Sequence, residues 1–225
     1  MSSHRVDVVI FAIAFAVFGL VALALVWSGD WAYAMLARFN GVRTVEFVRT
    51  GPTSLDQLLF YHRTWAGYVI RGSDLPPGQF VPMIFTTEEL AHMTDVQGVF
   101  RGAELAAVLA LGVCAFRLVR AHRDGSALRV LRTGSLAAAA LVAAVGIVAV
   151  FAFDALFLLF HEVFFPQGNF LFDSATSNLL RLYPEWYWQG ITAGVAISFI
   201  AIALLAAAAP HLALRRASTT YTRAA

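Results

Sequence analysis

Two histidines are the side chains best suited to acid–base chemistry. His161 closes the run Asp154-Ala-Leu-Phe-Leu-Leu-Phe-His161, and His92 lies in Glu89-Leu-Ala-His92-Met-Thr-Asp95. Imidazole exchanges a proton near neutral pH. Shared acid–base work requires direct or substrate-bridged contact. We therefore expect the two side chains to lie within roughly 10 Å of each other, at one membrane surface.

Ionisable neighbours accompany both histidines. Glu89, His92 and Asp95 follow a three-residue spacing, so they share one helical face. Asp154 lies seven residues before His161 on the same face, about 10 Å deeper by helical rise. A carboxylate near hydrocarbon is costly and needs a partner, and we expect Arg101 or a water chain. The structural alternatives are a capping Glu89, a His161 bonded to a backbone carbonyl, and an ion pair between Arg101 and Glu104.

Other catalytic and metal-binding patterns are missing from the sequence. It has no Gly-x-Ser-x-Gly elbow, no P-loop and no His-Glu-x-x-His. The single cysteine, Cys114, excludes an internal disulfide and a Cys-rich metal site. Glu-x-x-His occurs in metal-binding bundles, but those need the motif on two helices. We expect no metal site and no other cofactor.

The elements that position these residues are membrane spans. The 225-residue chain is 60% hydrophobic, above the roughly half that is usual for soluble domains. Four stretches approach the roughly 20 apolar residues that cross a bilayer. We predict a single all-α integral membrane domain over residues 1–225, with transmembrane helices at about 6–27, 99–119, 135–160 and 188–209.

The arginines predict the orientation of these helices. All 16 basic residues are Arg, and many flank the N-terminus, the link between the second and third spans, and the tail. Positive flanks mark the cytoplasmic side. Both termini are therefore predicted to be cytoplasmic, and loops 29–98 and 162–187 extracytoplasmic. The net charge of +2 then reflects contact with anionic lipid heads and not nucleic-acid binding.

The first loop is long enough to form a small extracytoplasmic subdomain. Residues 42–48 have strand composition. Capping patterns predict a helix over 55–70 and another that starts at Thr86, carries His92 and runs into the second span. We expect the apolar face of the first helix, with His62, to lie in the membrane interface. The aromatic second loop is expected at the headgroup level.

Two groups of motifs resemble those of a known family. Glu89-x-x-His92-Met-x-Asp95-Val and Phe160-His161-x-x-Phe-Phe165, followed by Phe172-Asp and Tyr183-Pro-Glu-x-Tyr-Trp188, are similar to those of the bacterial four-span lipoprotein intramolecular transacylases. The resemblance covers most of the chain. It implies an acyltransferase that moves the sn-2 acyl chain of a diacylglyceryl-cysteine to the α-amino group of that cysteine, which gives a lyso-form lipoprotein.

The resemblance also implies site residues and partners. His92 and His161 match the two histidines of the family and would be catalytic. The spacing arguments above add Asp95, Asp154, Glu89 and Arg101 as supporting residues. Diacylated lipoproteins and membrane lipids would be the partners of a monomer in the bacterial cytoplasmic membrane, with its site at the outer leaflet. We expect His161 to be the principal base. His92 would orient the substrate or stabilise an oxyanion, and Asp95 would fix its ring.

A second class of function fits the same sequence. The chain could serve as a non-catalytic membrane module that binds lipid or a partner and has an extracytoplasmic sensing loop. Its histidines would then be structural or responsive to pH. Mass-neutral acyl migration on a diacylated lipopeptide separates the two classes.

Overall fold

The chain is an all-α membrane protein with a two-stranded sheet. A computed structural model describes the backbone of residues 3–223 and the side chains of residues 5–209. Four of its helices are long and apolar enough to cross a membrane. In chain order the elements are α1 Ser3–Trp27, α2 Asp30–Phe39, β1 Thr44–Phe47, β2 Gly51–Ser54, α3 Leu55–Arg71, α4 Thr87–Arg123, α5 Ala127–Phe164, α6 Asn178–Leu182 and α7 Glu185–Arg223.

The described chain divides into two compact units. One contains the chain up to Leu23, Leu105–Val148 and the chain from Val195 onward. In this unit small residues permit close helix contact: a Cβ built on Gly134 would lie 2.4 Å from the Phe11 ring. An ion pair between Asp7 and Arg117 joins α1 to α4 at 2.7 Å. This unit contains none of the candidate site residues.

The second unit contains Ala24–Glu104 and Ala149–Gly194, and with them the whole candidate site. β1 and β2 pair antiparallel, from Thr44 opposite Ser54 to Phe47 opposite Gly51. The hairpin leads directly into α3, where Ser54 and Gln57 form a capping box. The strand and the two capped helices that the sequence predicts are therefore present, and α4 continues unbroken from Thr87 into the second span. Strand β2 and the short helices α2 and α6 were not predicted.

The predicted interfacial position of α3 is wrong. Leu58 and Trp65 are fully buried, and His62 is only 2% exposed. Rings of Phe80 and Phe85 pack on Trp65 at centroid distances of 5.1 and 5.2 Å. The apolar face of α3 is thus buried in a protein core. A helix with this pattern can bury its face in either environment, and only the fold-back of the following loop decides between them.

The second loop buries three of the aromatic rings that were expected in a headgroup-level belt. Phe165, Tyr183 and Tyr187 are buried in the unit, with exposures of 2, 8 and 4%. The Tyr183 hydroxyl finds a polar partner in His62, as buried tyrosines usually do. Aromatic residues of this loop therefore build the core that supports the candidate site, although Phe164 and Leu171 stay exposed.

Candidate acid–base site

His92 lies in the second turn of α4, and Glu89 fixes the start of that helix. Glu89 is 1% exposed. Its carboxylate accepts hydrogen bonds from the Thr86 backbone N–H at 2.8 Å, from Ser177 Oγ at 2.6 Å and from the Leu179 N–H at 2.7 Å. These bonds tie α4 to the start of α6. Glu89 therefore caps α4 and joins it to α6. This is the structural role, a capping Glu89, that the sequence offered as the alternative to a functional one.

His161 lies in the last turn of α5, half-buried, and one of its ring nitrogens is committed to the backbone. Its Nδ1 lies 2.8 Å from the carbonyl oxygen of Phe157. A carbonyl can only accept a hydrogen bond, so Nδ1 carries the proton and donates it. In the neutral ring, Nε2 then holds the free lone pair. The hydrogen bond to the backbone therefore fixes the Nδ1–H tautomer of His161, in which Nε2 can act as a base.

The two histidines meet. Their ring centroids lie 6.1 Å apart, with an angle of 18° between the ring planes. His92 is 7% exposed, and its Nδ1 is buried without a hydrogen-bond partner among the described residues. The expected juxtaposition of the two side chains is confirmed. A buried ring nitrogen without a partner is uncommon in a folded protein, and a catalytic role is one explanation for it.

Phenylalanine rings enclose the pair. Phe165 lies 4.8 Å from His92 and 5.5 Å from His161, measured between centroids. Phe157 and Phe170 contact His161 at 4.3 and 5.1 Å, and Phe172 contacts His92 at 5.6 Å. Such surroundings keep water away and strengthen electrostatic interactions between the groups inside.

Asp95 does not hold the His92 ring in the way the sequence suggested. Its Oδ2 accepts hydrogen bonds from Gln167 Nε2 at 2.7 Å and from Asn169 Nδ2 at 2.6 Å. The Asn169 side chain is in turn a neighbour of the His92 ring. Asp95 thus fastens the loop that follows α5 to α4. Among the described residues no hydrogen bond joins this carboxylate to the His92 ring, and its partners there are the two loop amides.

Asp154 and Arg101 stand apart from the histidine pair. Both are exposed. In the described part of the chain, no ion pair joins Asp154 to Arg101 or Arg101 to Glu104, so both expected pairings are absent. The backbone of α5 kinks at Ala152, where φ is −138° and ψ is 37°. The kink lies two residues before Asp154, and the segment from Asp154 to His161 is helical.

Comparison with known proteins agrees with the motifs. The family model for the lipoprotein intramolecular transacylase matches residues 8–188. This chain belongs to that family. No curated protein matches it.

Solved structures of one family member share the fold. The membrane integral lipoprotein intramolecular transacylase of Bacillus cereus is 17% identical, with a TM-score of 0.69 over 99% of this chain and 98% of that chain. A variant with one histidine replaced by arginine gives a TM-score of 0.70 at 16% identity, over 96% of this chain and 94% of that one. A variant with an alanine replacement gives 0.68 at 17%, over 99% and 96%.

Two site residues of this transacylase-family chain were missed by sequence reasoning. Gln167 and Asn169 flank Gly168, whose φ of +76° lies in the left-handed region that glycine favours. The turn presents both amides to Asp95, which lies 72 and 74 residues earlier in the chain. Polar residues in an otherwise aromatic loop directly after His161 were the only signal available.

A second buried histidine lies in the same unit. His62 Nε2 donates to the Ser28 carbonyl at 3.1 Å, and the Tyr183 hydroxyl donates to its Nδ1 at 3.2 Å. Burial lowers the pKa of His62 to about 4. It is neutral at physiological pH, and its ring stacks on Tyr33 at a centroid distance of 4.8 Å. His62 serves the core, since both ring nitrogens are occupied.

Two other features do not add to the site. An open cleft of about 510 Å³ is lined by residues of α3 and of the loop that follows it, and by neither catalytic candidate. Within the described residues, no three His, Cys, Asp or Glu side chains are grouped so that they could hold a metal ion.

Proposed function

We propose that this protein moves the sn-2 acyl chain of a diacylglyceryl-cysteine lipoprotein to the α-amino group of the same cysteine. Membership of the transacylase family supports an acyl transfer of this kind. The observation that carries the proposal is the contact between His92 and His161, with the Nε2 lone pair of His161 free. The product is a lyso-form lipoprotein with an N-acyl cysteine.

The reaction needs a base and no protein nucleophile, because the substrate supplies its own amine. Nε2 of His161 accepts a proton from the attacking amine while the nitrogen bonds to the ester carbonyl carbon. Collapse of the tetrahedral intermediate breaks the bond to the sn-2 oxygen of glycerol. The same imidazolium returns its proton to that oxygen. The free amine and ester become an amide and an alcohol, and no proton is gained or lost.

His92 is suited to the charge that develops on the carbonyl oxygen. Its Nδ1 is buried and lacks a partner among the described residues. In the neutral tautomer that carries hydrogen on Nδ1, this nitrogen is a desolvated donor without an acceptor, which is the arrangement that stabilises an oxyanion. The centroids of the two imidazole rings lie 6.1 Å apart, so one bound substrate can reach both histidines. Holding the amine and the ester together adds the advantage of proximity.

The phenylalanine rings around His161 disfavour hydrolysis. Water that attacked the ester carbonyl in place of the amine would release a free fatty acid, and no acyl chain would reach the nitrogen. Phe157, Phe165 and Phe170 surround His161 and leave an apolar setting suited to acyl chains. We place the site at the outer leaflet of the bacterial cytoplasmic membrane, with both termini in the cytoplasm. Diacylated lipoproteins and membrane lipids are then the partners of a monomeric protein.

The test uses the purified full chain in detergent with a synthetic diacylated lipopeptide. Transfer from oxygen to nitrogen leaves the mass unchanged, so fragmentation of the N-terminal residue must show one acyl chain moved from glycerol to the α-nitrogen. We expect this product with the wild-type chain and not with buffer alone. A lipopeptide that remains unaltered, or one that loses an acyl chain as free acid, would contradict the proposal.

A further inference from the structure

No cationic side chain among the described residues forms an ion pair with the Asp95 carboxylate. Its Oδ2 is held by two neutral amides, Gln167 and Asn169. The ion pairs within the described residues involve Asp30 and Asp7, and none reaches Asp95. No hydrogen bond to Oδ1 is found in this part of the chain. One oxygen of a half-buried carboxylate is therefore fixed in place while the other is open.

The carboxylate that carries this open oxygen lies near His92. Asp95 follows His92 by three residues on α4, and its carboxylate is close enough to act electrostatically on the His92 ring. Asn169 contacts both of them. A group bound at Oδ1 would thus be close to the atoms that handle protons in the proposed reaction. Oδ2 is hydrogen-bonded by residues on both sides of Gly168.

We propose that Oδ1 of Asp95 binds the α-ammonium group of the lipoprotein cysteine and thereby selects substrates with a free N-terminus. The assignment rests on the proposed transacylase function. An α-amino group is mostly protonated at neutral pH, and an ammonium has three donors, one of which satisfies a carboxylate oxygen. The bound ammonium first passes one proton through His161 Nε2 to water. The neutral amine then attacks while the same Nε2 accepts its second proton, which is returned to the glycerol oxygen. N-acylated lipoproteins lack the charge and bind more weakly.

A competing role for Asp95 is structural. The carboxylate could act only by fastening the loop after α5, and its loss would then disturb His92 indirectly. Replacement of Gln167 and Asn169 by alanine separates the two roles. That double variant releases the loop but keeps the carboxylate. If Asp95 binds the ammonium, preference for a free amine survives in the double variant; if it only fastens the loop, the preference disappears.

The experiment measures binding, so it does not depend on catalysis. The probes are two lipopeptides whose glyceryl chains are joined by ethers and cannot be transferred, one with a free α-amine and one with an N-acetyl group. Each is titrated against the purified full chain in detergent. The wild type should prefer the free amine by about tenfold or more, the value of one charge-assisted hydrogen bond.

The variants decide the assignment. Asp95→Asn should bind both probes equally, and Gln167→Ala/Asn169→Ala should keep the preference. Glu162→Gln, which removes an exposed carboxylate next to His161, is the matched control and should behave as wild type. Preference retained by Asp95→Asn, or absent from the wild type, overturns the assignment. If Asp95→Asn does not purify, the Gln167→Ala/Asn169→Ala variant decides alone. Loss of its preference for the free-amine probe overturns the assignment, and retention of that preference supports it. Failure of acyl transfer with the ester substrate would leave this binding result unaffected.

Discussion

The hydrogen bond from His161 Nδ1 to the Phe157 carbonyl decides which nitrogen can act as a base. The acceptor is a backbone atom one helical turn earlier, so the tautomer is set by the helix and not by a neighbouring side chain. Sequence reasoning treated this bond as a structural alternative to function. The structural role and the catalytic role are compatible, because the hydrogen bond donated by Nδ1 leaves the Nε2 lone pair free. A backbone orienter of this kind can replace the carboxylate that orients many catalytic histidines.

The buried His62 yields a prediction of pH dependence. In the folded chain its pKa is about 4, lowered by burial from 6.5. The unfolded chain therefore binds a proton that the folded chain refuses. The stability present above pH 6.5 is lost as the pH falls toward 4. We expect the melting temperature of the purified protein to fall over this interval, and the fall to be smaller in His62→Gln.

Glutamine can keep both hydrogen bonds of His62 without titrating. His122→Gln, which changes an exposed histidine, is the control and should follow the wild-type curve. An equally steep fall in His62→Gln would show that other groups cause the acid sensitivity.

Among the helices, the join between α4 and α6 depends on one carboxylate. Glu89→Ala would leave three donors without their acceptor: the backbone amides of Thr86 and Leu179, and the Ser177 hydroxyl. A lost cap and unsatisfied buried donors together cost roughly 3 kcal/mol or more. We expect a drop of several degrees in melting temperature in detergent. Glu88→Ala, at the exposed neighbour, should change little; equal losses in the two variants would refute the capping role.

How far the sequence predicts these elements depends on how local each signal is. The capping boxes of α3 and α4 have both partners within three residues, so they are readable from the sequence. The burial of Trp65 is not, because it depends on Phe80 and Phe85 folding back over α3. Four spans predict that His92 and His161 lie near the same end of their helices, and their ring centroids are indeed 6.1 Å apart. The pairing of Asp95 with Gln167 and Asn169 has no local signal at all.

At the scale of the whole molecule, the proposed function requires one orientation in the membrane. We expect both termini and residues 117–132 to be cytoplasmic, and the two loops that carry the site to lie outside, because arginines cluster at the former positions. Reporter fusions after Arg71 and after His122 measure this directly. An outward reporter after His122 together with an inward one after Arg71 would reverse the orientation. The proposed site could not then reach lipoproteins in the outer leaflet.

The central claim is that His161 is the base for acyl transfer. The direct measurement is the rate of lyso-form production from a diacylated lipopeptide by purified His161→Ala, beside the wild type and His122→Ala. We expect His161→Ala to lose at least about 10²-fold in rate, the usual contribution of a general acid–base group. His122→Ala should keep the wild-type rate, and all three proteins should purify as folded species. A near-wild-type rate for folded His161→Ala would contradict the mechanism.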